Sequence, residues 1–269
     1  MSVDASISNT PPFAKRLQAS LARRYSRMVP SGPCHCVCCH RNSPFFLPFA
    51  GGTSAIPPVN YKLDVVGSDL CHYSCPKCES NDRERHLKLY CQKLGIDRRI
   101  AGARVLHFAP EQWFAVYVAD AGPREHIKAD LYPASADIKK VDMLAMSFPD
   151  ASFDLVIANH VLEHVADDAK ALSEIHRVLR PGGLAILQTP YSAMLLASFE
   201  DAGIVSREAR EHAYGQDDHV RLYGRDIFSR FAAAGFESQV AHHETVLAEV
   251  DPAVNGVNPR EPFFLFQRP

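Results

Sequence analysis

Apolar and polar positions form their clearest pattern between Phe148 and Pro190. An apolar run from Phe153 to Ala158 predicts a buried strand, and the stretch from Ala166 to Leu179 predicts a helix. An Arg-Pro-Gly-Gly turn then precedes a second apolar run, Leu184 to Gln188. A strand, a helix and a strand in this order predict two parallel strands joined by a crossover. The pattern therefore indicates an α/β fold.

Shorter runs on both sides predict more elements of the same kind. Arg104 to Glu111 predicts a first strand and its turn, Glu125 to Asp130 predicts a second strand, and a short third strand is expected before Asp142. A helix is predicted from Asp226 to Ala234, followed by strands at Gln239 to Leu247 and Phe263 to Gln267. Strands and helices therefore alternate from about residue 97 onward, without repeats.

Seven of the eight cysteines fall in two short clusters, Cys34 to Cys39 and Cys71 to Cys78. Each cluster contains a C-x-x-C pair, and two such pairs can supply the four thiolates of a tetrahedral zinc site. A redox role for one pair lacks the βαβ context that would support it. The predicted structural zinc ligands are Cys36, Cys39, Cys75 and Cys78. The alternatives left open are Cys34 or Cys38 in place of Cys36, and Cys71 in place of Cys75.

The first 33 residues are interpreted as an extension. Phe13, Leu17, Leu21 and Tyr25 recur every four residues, which predicts an amphipathic helix docked on the main body. An organelle-targeting peptide would have a similar composition, but no cleavage site marks one here. The predicted organisation is an N-terminal extension at 1–33, a cysteine-rich zinc-binding module at 34–95 and a main domain at 96–269.

Composition and charge narrow the function classes. The chain has 269 residues, of which 46% are hydrophobic, as expected of a globular protein with a sizeable core. Its formal net charge of −2 creates no general field that would attract nucleic acid or an anionic membrane. No apolar run approaches the ~18 residues that span a bilayer, and the N-terminus lacks the apolar core of a secretory signal. We therefore expect a cytoplasmic protein, in which clustered cysteines bind metal more often than they form disulfides.

Polar side chains follow the predicted strands at intervals that suit a nucleoside cofactor. Asp130 ends the second strand about 20 residues after Glu111, where an acid in a doubly wound sheet accepts hydrogen bonds from ribose hydroxyls. Further residues in the same order are Asp142-Met143, Asn159 with His164, and Pro181-Gly182-Gly183. This series closely resembles the class I S-adenosylmethionine-dependent methyltransferases, in their type 11-like branch.

The resemblance implies a Rossmann-like, seven-stranded sheet whose seventh strand is antiparallel and inserted. It also implies S-adenosylmethionine as cofactor, with Asp130 at the ribose and Met143 at the adenine. The first turn departs from the family pattern, because His107 stands in the position of an acid and Ala109-Pro110-Glu111 replaces glycines. This turn and the cysteine module resemble a bacterial sub-branch of the family. The predicted cofactor-binding residues are His107, Ala109, Glu111, Asp130, Leu131, Asp142, Met143, Asn159 and His160.

The polar segment from Gly215 to Gly224 is the predicted acceptor side. His219 is the candidate general base, because a neutral imidazole can take a proton at physiological pH, and His160 is predicted to border the same space. The alternative is that His219 and Arg221 form a structural hydrogen-bond network over the cofactor. The predicted acceptor-binding residues are Arg221, Tyr223 and Tyr191.

The sequence thus predicts a methyltransferase that acts on a small-molecule acceptor, such as a sugar or a natural product. A non-catalytic, zinc-containing scaffold with a degenerate methyltransferase fold is one alternative, which the altered first turn favours. An RNA methyltransferase is another. The net charge argues against a nucleic-acid partner, although the stretch from Lys77 to Arg104 could form a local basic patch.

Overall fold

The computed structural model describes residues 20–21, 23–26, 28–29, 31–50 and 52–269. Phe13 and Leu17, on which much of the predicted N-terminal helix depends, lie outside these residues. The described residues between Ser20 and Val29 are helical as far as Met28. Within the part of the chain that is described, no helix is long and apolar enough to cross a membrane.

Seven strands form one central sheet. The strands of the chain are β1 (Cys34–Cys36), β2 (Arg41–Ser43), β3 (Val65–Val66), β4 (Arg104–Phe108), β5 (Glu125–Asp130), β6 (Lys139–Lys140), β7 (Phe153–Ala158), β8 (Leu179–Ile186), β9 (Tyr191–Ser192), β10 (Glu237–Ser238) and β11 (Leu265–Gln267). The order in the central sheet is β10-β11-β8-β7-β4-β5-β6. All pairs from β8 to β6 are parallel, whereas β11 runs antiparallel to both of its neighbours. The predicted Rossmann-like sheet with an inserted antiparallel last strand is confirmed.

Helices cover both faces of this sheet. From Gly52 onward the helices of the chain are α1 (Pro58–Lys62), α2 (Asp82–Lys93), α3 (Ile96–Ile100), α4 (Gln112–Asp120), α5 (Asp168–Val178), α6 (Arg207–Tyr214), α7 (Ile227–Ala233), α8 (His243–Val246) and α9 (Pro252–Asn255), with 3-10 turns at Gly52–Ala55 and Leu162–His164. Alternate strand residues point to opposite faces. Leu106 and Val156 join the core beneath α5 and α7, while Val105 and Leu155 join the core beneath α2 and α4. The carboxyl ends of the parallel strands therefore share one edge between the two helical layers.

Helix α2 belongs to the main core as much as to the cysteine module. Leu87, Tyr90 and Cys91 of this helix pack in the same cluster as Val105 of β4 and Phe114 of α4. The boundary expected at residue 95 stays a prediction, but the packing ties the end of the module directly to the sheet.

Two local predictions differ from the structure. The strand predicted at Gln239 to Leu247 is wrong: β10 precedes this range at Glu237–Ser238, Ala241 forms an isolated bridge with Phe263, and α8 begins at His243. A short apolar run does not separate strand from helix by periodicity alone. The Arg-Pro-Gly-Gly turn lies inside β8, where Gly182 has a φ of 77° and the pairing with β7 shifts in register.

Candidate functional site

Four cysteine side chains meet in the N-terminal module. The sulfur atoms of Cys36, Cys39, Cys75 and Cys78 lie within 4.8 Å of one another, with 3.7 Å between those of Cys36 and Cys78 and 4.0 Å between those of Cys39 and Cys75. A tetrahedral zinc ion with Zn–S bonds of about 2.3 Å separates its ligands by ~3.8 Å. The predicted four thiols therefore fit zinc. Because they would fill all four positions, an ion held here would be structural.

Two tight turns aim each cysteine pair inward. His40 and Glu79 adopt φ values of 55° and 66°, and their amides donate 2.8 Å hydrogen bonds to the carbonyls of Cys36 and Cys75. These left-handed residues reverse the chain directly after each C-x-x-C pair. The four-sulfur group includes none of the alternative ligands Cys34, Cys38 and Cys71.

The cysteine module is fastened to the main domain next to the first cofactor turn. The indole Nε1 of Trp113 donates to the carbonyl of Cys78 at 2.6 Å, and the backbone N–H of Trp113 donates to Glu84 Oε1 at 2.7 Å. Glu84 also forms a capping box with Asn81 at the start of α2. One carboxylate therefore caps both α2 and α4.

The first turn holds a histidine–carboxylate pair. His107 is fully buried, stacks on His126 with 5.5 Å between ring centroids, and places Nε2 3.4 Å from Glu111 Oε2. Burial alone would raise the pKa of Glu111, but His107 and Arg83 hold it below its usual value. The carboxylate is therefore ionised at neutral pH, and its Oε1 is buried without a hydrogen-bond partner. Ala109, in the same turn, has a φ of 43°.

Asp130 and Asp142 stand at the next two strand ends. Each uses one carboxylate oxygen to shape its own loop: Asp130 Oδ1 accepts from the backbone N–H of Tyr132 at 2.7 Å, and Asp142 Oδ1 accepts from that of Leu144 at 2.9 Å. Among the described residues, the other oxygen of each carboxylate accepts no hydrogen bond. Beside them, Met143 is buried and Leu131 is exposed.

Asn159 and His160 follow β7, the neighbour of β4. The amide of Asn159 is buried, and neither Oδ1 nor Nδ2 has a hydrogen-bond partner. His160 has a φ of 53°, and its ring lies between two buried carboxylates, 3.3 Å from Glu163 and 3.5 Å from Glu261. Burial and the Arg83 charge would lower the pKa of His160, but the two carboxylates raise it overall. A proton is therefore stabilised on this ring.

Glu163, His164 and His219 form a second polar group beside His160. Their potential ligand atoms lie within 4.8 Å of one another, and the two imidazoles meet edge to face at 4.7 Å. Burial lowers the pKa of His219, which keeps its ring neutral. Burial would raise the pKa of Glu163, but the surrounding imidazoles lower it to about 2. Asp218 lies 3.4 Å from the ring of His164, and Asp217 pairs with an arginine of α6.

The predicted acceptor residues lie on the same side of the sheet. Arg221 is buried and donates hydrogen bonds to three backbone carbonyls in the 162–166 segment. The hydroxyl of Tyr223 donates to Asp168 at 2.9 Å. Tyr191 is half-buried and packs on two phenylalanines. Arg221 and Tyr223 thus support the turn after β7, and the acceptor-binding role of all three stays a prediction.

The sequence did not point to Arg83, Glu163 or Glu261. Arg83 lies in a charged run of α2, a pattern that usually marks a solvated helix face, yet its Nε is buried. Glu261 lies outside regular structure and next to a proline, so no periodicity identifies it. Glu163 lies between His160 and His164 in the sequence, and its position on the same turn as these histidines could have identified it as a site residue.

Comparison with known proteins agrees with this architecture. Residues 100–187 match the family model described as a methyltransferase domain. A probable S-adenosylmethionine-dependent methyltransferase of Mycolicibacterium smegmatis is 43% identical over 134 residues, which are 49% of this chain and 47% of that protein. A sterol 24-C-methyltransferase of Gibberella zeae is 32% identical over 111 residues, 41% of this chain and 28% of that protein. The chain thus spans less than half the length of these two relatives.

Solved structures give the same kind of match. A methyltransferase from Mesorhizobium loti aligns with a TM-score of 0.44 at 18% identity, covering 65% of this chain and 97% of that one. A putative sarcosine dimethylglycine methyltransferase from Galdieria sulphuraria aligns with a TM-score of 0.46 at 14% identity, covering 69% and 86%. Residues 100–187 thus match the methyltransferase-domain family, and the chain is similar over part of its length to S-adenosylmethionine-dependent methyltransferases.

Proposed function

We propose that this chain transfers a methyl group from S-adenosylmethionine to a small-molecule acceptor, such as a sugar or a natural product. The observation that carries the proposal is a set of unpartnered polar atoms at adjacent strand ends. The amide of Asn159 and Oε1 of Glu111 are buried without hydrogen-bond partners, and Asp130 ends the next strand. Leaving one such atom unpaired costs about 1–3 kcal/mol, so these groups favour a ligand that completes their hydrogen bonds.

The chain's residues fit an S-adenosyl nucleoside along this edge. In our proposal the free oxygen of Asp130 accepts hydrogen bonds from the ribose hydroxyls, and Met143 packs against the adenine with Asp142 and Leu131 nearby. Ala109 has the positive φ and small side chain that allow close approach of a ligand to the first turn. His107 acts through Glu111, and Asn159 and His160 line the side towards the acceptor.

The proposed chemistry assigns a proton acceptor and a charged neighbour. The cofactor supplies an electrophilic methyl group when bound. The neutral His219 ring takes the proton that the acceptor atom loses, and the ionised Glu163 stabilises the resulting imidazolium. His160 borders the same space and holds its own proton. Alignment of the acceptor with the methyl group would supply much of the rate enhancement.

The acceptor class rests on shape and charge. Tyr191 is half-buried near this edge, and the segment that follows it carries the exposed apolar residues Met194, Leu196 and Val205. These side chains suit a small, partly apolar acceptor better than a phosphate backbone. The net charge of −2 also disfavours RNA, which is expected to require a basic surface. We place Arg221 and Tyr223 behind the acceptor, where they hold the turn that carries Glu163.

Calorimetric titration with S-adenosylmethionine and S-adenosylhomocysteine tests the cofactor, and formation of S-adenosylhomocysteine in the presence of small-molecule or RNA fractions tests the acceptor. We expect binding of both nucleosides and turnover with a small-molecule fraction. Absence of binding would contradict the proposal, and turnover only with RNA would refute its acceptor class.

If His219 is the base, His219→Ala should lower turnover about 10²–10⁴-fold with unchanged cofactor affinity, while His212→Ala, at an exposed position, serves as control. Substantial turnover in His219→Asn would show that His219 only shapes the site.

A further inference from the structure

Helix α2 brings Arg83 from the cysteine module to the first cofactor turn. Glu84, the next residue, accepts the backbone N–H of Trp113 at 2.7 Å, and Trp113 follows Glu111 by only two positions. This contact fixes the start of α2 against the turn. Arg83 and Glu111 influence each other's ionisation, yet no contact of 4.0 Å or less joins their charged atoms. A gap therefore separates two opposite charges.

Both charges are incompletely satisfied. Nε of Arg83 and Oε1 of Glu111 are buried and have no hydrogen-bond partner. Burial would lower the pKa of Arg83, but Tyr73 and the carboxylates around it, including Glu111, raise it. The guanidinium is therefore permanently charged. Burying unpaired charges is costly, whereas a ligand with one positive and one negative group would satisfy both.

The topology indicates which part of the cofactor reaches this gap. If Asp130 at the end of β5 binds the ribose, the nucleoside lies across the strand ends, and its other end extends towards β4 and β7. Glu111 follows β4, and Arg83 stands beside it. The far end of S-adenosylmethionine is an α-amino acid, with an ammonium and a carboxylate on one carbon atom. Its charges match those of the two side chains.

We propose that Arg83 and Glu111 form a cradle for the α-amino acid end of the cofactor, an inference that rests on the proposed function. The guanidinium of Arg83 binds the α-carboxylate, for which its planar fork is suited, and Glu111 binds the α-ammonium. His107 holds the other carboxylate oxygen of Glu111 and thereby orients it. The cysteine module then supplies a cofactor-binding residue and is part of the site.

The test compares ligands that differ only in the amino acid end. Calorimetry measures the affinities for S-adenosylhomocysteine, for its decarboxylated analogue and for 5′-methylthioadenosine, which lacks the whole amino acid. Arg83→Gln should weaken S-adenosylhomocysteine about 10–100-fold and leave both truncated ligands within about twofold. Glu111→Gln should weaken S-adenosylhomocysteine and the decarboxylated analogue alike, because both retain the ammonium. Lys93→Gln removes a positive charge from an exposed part of α2 and should change none of the three.

The outcomes separate this inference from the proposed function. A wild-type protein that binds no adenosyl ligand would refute both. Equal wild-type affinity for S-adenosylhomocysteine and 5′-methylthioadenosine, or an Arg83→Gln protein that loses both equally, would overturn the cradle alone. Zinc content and melting temperature report whether Arg83→Gln is folded. If it is not, Arg83→Lys replaces it, with an expected loss of about 3–10-fold for S-adenosylhomocysteine only, because the charge remains and the fork is lost.

Discussion

The carboxylate of Glu84 should be one of the largest single contributions to stability in the cysteine module. It is buried and accepts backbone N–H groups of Asn81 at 2.9 Å, Trp113 at 2.7 Å and Phe114 at 3.4 Å. Glu84→Ala would remove the acceptor for two short, charge-assisted bonds. At about 1.5–3 kcal/mol for each hydrogen bond to a charged group, the free energy of unfolding should fall by ~3–5 kcal/mol. Glu84→Gln keeps one acceptor oxygen and should cost ~1–2 kcal/mol.

Urea unfolding in zinc-replete buffer measures this difference, with zinc content determined for each variant. Glu79→Ala is the matched control from the same module, because its carboxylate is half-exposed and pairs only with Arg23 at 2.8 Å. Such a surface pair contributes about 0–1 kcal/mol. If Glu84→Ala and Glu79→Ala lie within ~1 kcal/mol of each other at full zinc occupancy, the reasoning about the shared cap is refuted.

Three further predictions use separate observations. Elemental analysis should find one zinc per chain. Cys75→Ser should lose the metal and lower the melting temperature more than Cys91→Ala, whose thiol lies in the main core, and equal zinc content in the two variants would contradict the assignment of the zinc ligands. Asp130→Ala should weaken S-adenosylmethionine binding by ~1–3 kcal/mol, whereas Asp137→Ala, on an exposed part of the next loop, should leave it unchanged. An unchanged dissociation constant in Asp130→Ala would show that Asp130 does not bind the ribose. Burial lowers the pKa of His86 to about 4, so the stability that its neutral ring contributes is complete above pH ~6.5 and is lost as the pH falls towards 4. The unfolding free energy of His86→Gln should therefore fall by about 3 kcal/mol less than that of the wild type between pH 7 and pH 4, and an identical pH dependence in both proteins would disprove this.

Sequence reasoning was most successful where burial on both sides of the sheet imposes a continuous apolar run. The strand at Phe153–Ala158 was predicted with the bounds that the structure has. The strand at Glu125–Asp130 was also predicted with its bounds, although it is not a continuous apolar run. The four-cysteine group was predicted because a C-x-x-C pair can aim both of its thiols at one ion, and the structure brings together the two pairs preferred over the alternatives. A local pattern was sufficient for each strand and for each C-x-x-C pair, since these depend on neighbours within a few residues.

Features that depend on distant contacts were not predictable in the same way. The Nε of Arg83 is buried, and the neighbouring Glu84 bonds to Trp113, a residue distant in the sequence. The strand predicted at Gln239 to Leu247 was wrong because the sheet strand β10 ends before it and α8 begins at His243, whose side chain is buried, and the local alternation carries no information about that core. A charged run and a short apolar run are both compatible with more than one structure until the tertiary partner is known.

The altered first turn favours the alternative of a degenerate, non-catalytic scaffold, but the geometry of that turn weakens the case for this alternative. The turn lacks an acid at His107, but a carboxylate returns four residues later at Glu111, where His107 holds one of its oxygens. Its pKa is below the usual value, so the negative charge is present at neutral pH. A scaffold with no ligand would have no reason to retain an ionised, buried carboxylate with one unpartnered oxygen, because that arrangement destabilises the fold. The substitution therefore moves the charge within the turn and keeps it available to a cationic group.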